Sequence, residues 1–259
     1  MKLDGDVYER NSIKASQGFY KDSADLISWY KNTTAGLSSL EPGESMTLSF
    51  SLAVGDLTSS DFKDYKNPAI KFTTNLTGIK AKPGFETENI ETNEAVLIKV
   101  NSAVGLAQNL RYYDGTFDNT GPVPPQANNE TTYTVTLSLT NSSSELKDAI
   151  LKTSLPVYVE WKDKTVPASE FLTYNSVSRE VVWQLGQVPV LDDPRQVSFQ
   201  LGFNPSVSQI GQTPELTKAI SFSAIDTYTG EVIKINTSAL DIKLRGDSNY
   251  NIENDKVVR

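Results

Sequence analysis

The stretch "DGTFDNTG" places Asp114, Asp118 and Asn119 close together in the chain. These are hard oxygen donors, the ligand type that suits Ca²⁺ where several converge. The residue order and closing Glu of an EF-hand loop are missing, and Asp-Gly and Asn-Thr-Gly serve turn formation equally well, so no resident metal or cofactor is expected. In the same stretch Tyr112, Tyr113 and Phe117 sit among Gly and Pro residues. They form the aromatic patch best placed to meet a glycan or a protein partner. Further on, Arg245, Gly246 and Asp247 spell a known integrin-binding tripeptide, a match short enough to arise by chance. The acids Asp247, Glu253 and Asp255 follow in "GDSNYNIENDK", which reads as a polar, frayed terminus.

Two residue types are absent. Without histidine there is no Ser-His-Asp or Cys-His constellation, no imidazole metal ligand and no side chain that titrates near neutrality unperturbed. Without cysteine there are no disulfides, thiolate nucleophiles or thiolate zinc sites. A carboxylate pair of the glycosidase kind remains available, but the Asp and Glu residues show no paired motif. An intramolecular Lys–Asn crosslink needs a desolvated lysine beside a protonated carboxyl group, and no lysine is singled out. The chemistry therefore points away from an enzyme. A net charge of −8 opposes the phosphate backbone of nucleic acid. No apolar run reaches the ~18 residues of a membrane span, and "MKLDGDVYER" carries no signal peptide, so an exported product would take its signal from outside this chain.

The elements that would position these residues are strands. "MTLSFSLAV" puts Met46, Leu48, Phe50, Leu52 and Val54 on one face, and "TYTVTLSLT" does the same with Tyr133, Val135, Leu137 and Leu139. Such alternation marks antiparallel strands with one buried face. "LPVYVEW" aligns Leu155, Val157, Val159 and Trp161, and "QVSFQLGF" aligns Val197, Phe199, Leu201 and Phe203. "AISFSAI", "EVIKINT" and "ALDIKL" complete the set, and only a turn or two of helix is expected, around Ser59 to Tyr65. Short strands separated by Gly, Pro and Asn clusters make an all-β sandwich.

The chain also repeats itself. "KASQGFYKDSADLISW" ends at Trp29 and "PASEFLTYNSVSREVVW" at Trp183; "MTLSFSLAV" then answers "RQVSFQLGF", "NPAIKFTTNLTG" answers "TKAISFSAIDTYTG", and "NEAVLIKV" answers "NTSALDIKL". Collinear matches on strands and turns alike imply two copies of one domain, with Trp29 and Trp183 as core anchors in matching positions and Trp161 also in the core. The expected division is 1–101 and 102–245 for two tandem antiparallel Ig-like β-sandwich domains, with 246–259 as a tail. The second copy has about fifty additional residues upstream, including "TYTVTLSLT" and "AILKTSL". The first copy therefore lacks its opening strands, and an unpaired edge is expected there.

"RYYDGTFDNTGPVPPQANNETTYTVTLSLTNSSSELKDAILKTSLPVYVEW" and "REVVWQLGQVP" followed by "RQVSFQLGFNPSVSQIGQTPELTKA" resemble the Ig-like conserved repeats of large bacterial cell-surface proteins, notably those of candidate-phyla (Patescibacteria) type. The resemblance covers nearly the whole chain. It implies tandem exported domains at the bacterial cell surface, acting as a structural or adhesive stalk, with other repeats of the same longer protein as partners. The alternative is a module that binds a glycan or protein through loops of the second sandwich.

Overall fold

The computed structural model describes residues 1–59, 65–81, 84 and 86–259. The centre of the helical turn expected between Ser59 and Tyr65 lies outside them. The protein is all-β, and it divides into two compact units, Met1–Ala103 and Val104–Arg259.

The first unit contains β1 (Lys2–Asp4), β2 (Tyr8–Ala15), β3 (Phe19–Lys21), β4 (Leu26–Ser28), β5 (Phe50–Val54), β6 (Ala69–Lys80) and β7 (Glu88–Lys99). They form a five-stranded sheet in the order β3-β4-β1-β6-β7 and a two-stranded sheet, β2-β5. The second unit contains β8 (Val104–Arg111), β9 (Thr131–Asn141), β10 (Leu146–Ser154), β11 (Val159–Val166), β12 (Phe171–Asn175), β13 (Glu180–Val188), β14 (Arg195–Phe203), β15 (Ile220–Asp226) and β16 (Val232–Thr237). Its sheets run β12-β13-β10-β15-β16 and β11-β14-β9-β8. All pairings between named strands are antiparallel.

The five-stranded sheets of the two units have one topology, strand for strand. Local detail repeats with it. Asp25 and Arg179 hold the left-handed conformation, at φ 47° and 57°, each just before β4 or β13, and each backbone carbonyl accepts the amide of the strand alongside, Leu3 in one unit and Leu155 in the other. The side chains lock this corner differently. Asp25 accepts Arg10 Nε (3.0 Å) and the Tyr20 hydroxyl (2.8 Å), whereas Arg179 donates to the carbonyls of Leu155 (3.0 Å), Pro156 (2.7 Å) and Val159.

The second unit closes around a continuous core. Tyr133, Val135, Leu137 and Leu139 of β9 share this core with Phe199, Leu201 and Phe203 of the neighbouring β14 and with Leu151, Trp183 and Phe222 of the other sheet. Their burial follows from the alternation read in the sequence. Two expectations fail here. Val157 does not share a strand face with Val159: it sits in a turn and is 86% exposed. Pro156 cannot donate to a ladder, and the chain crosses there from β10 to the other sheet, the Val159 amide closing the turn on the Pro156 carbonyl (3.0 Å). Residues 239–244 form no strand, only a bridge between Glu215 and Asp241, although Ile242 and Leu244 are buried.

In the first unit, Leu3, Val7, Tyr8, Ile27, Leu57, Ile70 and Phe72 are buried together. Among the described residues the sheet that covers them has two strands, and none stands where β8 and β9 stand in the second unit. The expected strand from Met46 begins only at Phe50. Its counterpart explains why: Arg195, Gln196 and Val197 of β14 pair with β9 alone, so without such a neighbour the first half of that strand has no ladder to join. Likewise β1 pairs with β6 only from Lys71 to Thr73. Beyond Thr73, β6 and all of β7 are exposed, whereas β15 buries alternate residues and those of β16 are half-buried.

The two tryptophans occupy matching places four residues after the left-handed corner, but not with equal burial. Trp183 is 0% exposed and donates to Glu170 (2.7 Å). Trp29 is half-buried, just beyond β4, and donates to the Ser16 carbonyl (2.9 Å). Trp183→Ala should therefore cost the second unit about 3–5 kcal/mol, and Trp29→Ala should cost the first unit less than half as much. Native-state hydrogen exchange read separately for each unit measures both; equal costs would show that the first core is as closed as the second.

Candidate functional site

The sequence-expected residues gather on the long connection between β8 and β9. This segment does not project into solvent but folds over the outer face of the β9 and β14 strands. Gln200 donates to the Asp118 carbonyl and to Asn119 Oδ1, both at 3.0 Å, and Asn119 donates to the Tyr112 carbonyl and to Thr134 Oγ1, both at 3.1 Å. A Cβ at Gly115 would stand 2.6 Å from Thr134 Oγ1, so glycine is what lets the backbone lie so close to the strand. The cover also accounts for an unexpected burial. Thr132, Thr134, Ser198 and Gln200, polar residues on what reads as a solvent-facing side, are 0–7% exposed, because a buried hydroxyl or amide is tolerated where it finds a hydrogen-bond partner.

The oxygen donors do not converge. Asp114 pairs with Arg111 (3.0 Å) and accepts the Ser248 amide (3.1 Å). Desolvation pushes its carboxyl up, but the bonds from Arg111 and Ser248 outweigh this and hold it below the usual carboxylate range. Asn119 spends both ends of its amide on the fold, and Asp118 contributes a backbone carbonyl. Among the described residues no group of three or more acidic side chains is placed to hold a metal ion.

The aromatic residues divide. Tyr112 is half-buried, donates to the Gly121 carbonyl (2.6 Å) and packs edge-on against Tyr113 and Tyr133, with ring centroids 4.8 and 6.0 Å away. Phe117 is half-buried, and Tyr113 presents its ring to solvent at 47% exposure. A second aromatic cluster, of which Trp161 alone is expected in the core, lines an open groove of about 430 Å³ bounded by Tyr158, Trp161, Tyr174, Arg179 and Asn204. Trp161 is half-buried and stacks on Tyr174 (5.5 Å, 16° between planes). Its signal was present in "VYVEW" and "LTYN", but only the pairing of distant strands brings these rings together.

The expected frayed tail at residues 246–259 is a correction. Asp247 is buried, and its Oδ2 accepts the amides of Tyr112 (2.6 Å) and Tyr113 (2.9 Å). The carboxylate of the Arg-Gly-Asp tripeptide is thereby turned into the protein. Beyond it, Asp255 is buried and accepts the Tyr250 hydroxyl (3.0 Å), while Glu253 stays exposed. Val257 is 1% exposed and, with Val258, forms parallel bridges to Ile210 and Gln126. The polar composition masks two apolar residues that return the chain to the core. Asn141, fully buried, donates to the carbonyls of Ser144, Val188 and Pro189. Burial pulls Lys162 down, but Glu130 (2.7 Å) and Glu160 (2.9 Å) outweigh it and keep the ammonium charged.

Glu170 joins strands of both sheets, accepting Trp183 Nε1 and Arg195 Nε (2.9 Å). Burial pushes its carboxyl up, and the bonds from Arg195 and Trp183 prevail to hold it below the usual range.

No family model matches the chain, and no curated protein matches it. Similar solved structures include the full-length major pilin SpaD from Corynebacterium diphtheriae, with 10% identity and TM-score 0.37 over 80% of this chain and 53% of that one. The BcpA major pilin subunit of Bacillus cereus matches with 8% identity and TM-score 0.33 over 68% of this chain and 55% of its own. A GH20 exo-β-N-acetylglucosaminidase mutant from Vibrio harveyi matches with 12% identity and TM-score 0.30 over 51% of this chain and 17% of that one. The chain thus spans about half of each pilin subunit and a small part of the glycosidase. Among the described residues no helix is long and apolar enough to cross a membrane.

Two outcomes are expected. Asp247→Ala leaves the Tyr112 and Tyr113 amides without their acceptor, so it should destabilise the second unit by about 1–3 kcal/mol and raise hydrogen exchange in residues 112–121. A neutral effect would mean that the tail is not anchored there. Glu170 has a folded pKa below its unfolded value, so its contribution is fully present above about pH 4.3 and is lost as pH falls through the folded value. The Tm difference between wild type and Glu170→Gln should be constant near neutrality and shrink below about pH 4; a pH-independent difference would refute the assignment.

Proposed function

We propose that the chain is a non-enzymatic structural component of the bacterial cell surface, a piece of a stalk made of tandem Ig-like repeats of the candidate-phyla type. Its partners in this reading are further repeats of the same longer protein. The observation that carries it is the recurrence of one sheet topology in two successive units, β3-β4-β1-β6-β7 and β12-β13-β10-β15-β16, since a repeated module with polar connections filled by structural hydrogen bonds is what a spacer requires. The histidine-free and cysteine-free composition favours the same reading. Surface proteolysis of intact source cells tests it: tryptic fragments of this chain should be released before cytosolic marker proteins, and release only after lysis would overturn it.

A second reading, a glycan- or protein-binding module, is favoured by the groove beside Trp161 and Tyr174, because stacked aromatic rings on an open surface suit a sugar face. Tyr113 offers a smaller exposed ring for the same purpose. A glycan array probed with wild type and with Tyr174→Ala separates the readings: binding lost in the variant supports the module, and an empty array leaves the stalk.

A further inference from the structure

The left-handed corner before β13 carries a charge without a counter-charge. A guanidinium has five N–H donors. Half-buried Arg179 uses three of them on the backbone, Nε on the Leu155 carbonyl (3.0 Å) and Nη2 on the carbonyls of Pro156 (2.7 Å) and Val159, and among the described residues the hydrogens of Nη1 meet no acceptor. No carboxylate pairs with Arg179 among the described residues: Glu160, which lines the same groove, pairs with Lys162 (2.9 Å), and Glu180 pairs with Lys152 (3.9 Å). Charge drawn out of water is ordinarily matched by an anion, and the first unit does so at its own copy of this corner. There Asp25 stands for Arg179 and Tyr20 for Tyr174, and Arg10 stands for Trp161 by count from the pairs Tyr8–Val54 and Val159–Phe203. Asp25 accepts Arg10 Nε (3.0 Å) and the Tyr20 hydroxyl (2.8 Å), so an internal ion pair fills the place. The second unit has the cation at the corner, a tryptophan where the opposite charge would stand, and a groove of about 430 Å³ beside them.

We propose that this groove binds a hexuronic acid residue of an acidic polysaccharide, with the sugar carboxylate on Arg179 Nη1 and the sugar ring against the Trp161–Tyr174 stack. A carboxylate oxygen accepts a charge-assisted bond from such a donor, about twice as strong as a neutral one. The rings are held in advance: Trp161 rests on Phe199 (5.2 Å between centroids) and stacks on Tyr174 (5.5 Å, 16° between planes), so little side-chain freedom is lost when a sugar face packs against them. Asn204, exposed at the groove and without a side-chain hydrogen bond among the described residues, offers its amide to sugar hydroxyls. The pairing of Glu160 with Lys162 offsets the one negative charge that would oppose the ligand. Charge decides between ligand types here. A neutral sugar would use the rings and leave Nη1 unmatched, and a small inorganic anion would meet Nη1 and leave the rings unused. The inference names the ligand class of the glycan-binding reading and rests on that reading.

The test is a calorimetric titration of the full chain at neutral pH with two uronate probes of different linkage, trigalacturonate and a hyaluronan tetrasaccharide, each beside its methyl ester. At least one acid should bind, and esterification, which removes the charge and keeps the ring, should weaken it about tenfold or more. Arg179→Gln should weaken the acid as much as esterification does, and the two changes together should cost no more than either alone. Because Arg179 also holds the corner, the Tm of the variant is read alongside; the comparison of acid with ester on the wild-type chain decides the question even if the variant does not fold. Tyr174→Ala should weaken the acid as well. Equal affinity for acid and ester overturns the uronate assignment and leaves the glycan-binding reading standing, as does acid binding that a folded Arg179→Gln chain retains in full. Binding of neither acid overturns the proposal, while neutral sugars on the glycan array decide the broader reading separately. Preference for the tripeptide Gly-Gly-Phe over both acids would also overturn it, by assigning the groove to a peptide carboxylate. The surface proteolysis result is independent of all these outcomes.

Discussion

The pairing of β9 with β14 is the constraint on which the second unit depends. Nine consecutive residue pairs, from Arg195 with Leu139 to Phe203 with Thr131, place one alternating strand against another, so that Tyr133, Val135, Leu137 and Leu139 enter the core beside Val197, Phe199, Leu201 and Phe203. A one-residue slip would send every one of these side chains to the wrong face. The first unit shows the same strands without that neighbour among the described residues, and its core is smaller and its β6–β7 ribbon is exposed on both faces beyond Thr73. Sequence similarity between the copies therefore does not carry over to equal packing, because burial is a property of the whole sandwich and not of any one strand.

A second dependence is polar. The connection between β8 and β9 is held down by Gln200, Asn119 and Asp247, residues far apart in the chain whose amides and carboxylate serve backbone groups on the loop. Such bonds are modest individually, about 0.5–1.5 kcal/mol net each, but a buried partner left unmatched is costly, so they act as a set. They also occupy groups that looked reactive in the sequence. Asp114 is matched by Arg111, and the Asp247 carboxylate faces inward. Tyr113 on this loop stays exposed, and the half-buried Trp161 and Tyr174 rings line an open groove.

Legibility followed locality. The alternation of "TYTVTLSLT" and "QVSFQLGF" identified the strands that build the core, and the collinear words around Trp29 and Trp183 identified the repeat, because each signal lies within one element or its turn. The break at Pro156 was missed, since alternation continues through "LPVYVEW" although the chain changes sheets there. Thr132, Thr134 and Gln200 alternate with the core residues, and their cover comes from a loop whose path no periodicity reveals. The tail was misread for a related reason: in "DKVVR" two valines follow a polar run, and only the bridges to Ile210 and Gln126 show where they go.

The left-handed corner before β4 and β13 has a consequence for how two similar modules coexist on one chain. Neighbouring repeats of like sequence are prone to exchange elements during folding, each strand finding the other copy's site. At this corner the copies are locked by opposite charges: Asp25 receives Arg10 and Tyr20, and Arg179 gives to three carbonyl oxygens. In a hybrid, Arg179 would meet Arg10, and Asp25 would meet the carbonyls of Leu155, Pro156 and Val159. Both mismatches set like against like, cation on cation and anion on carbonyl dipole. The same backbone turn is thus held by an anion in one unit and by a cation in the other, so a side chain that completes one corner does not complete its twin.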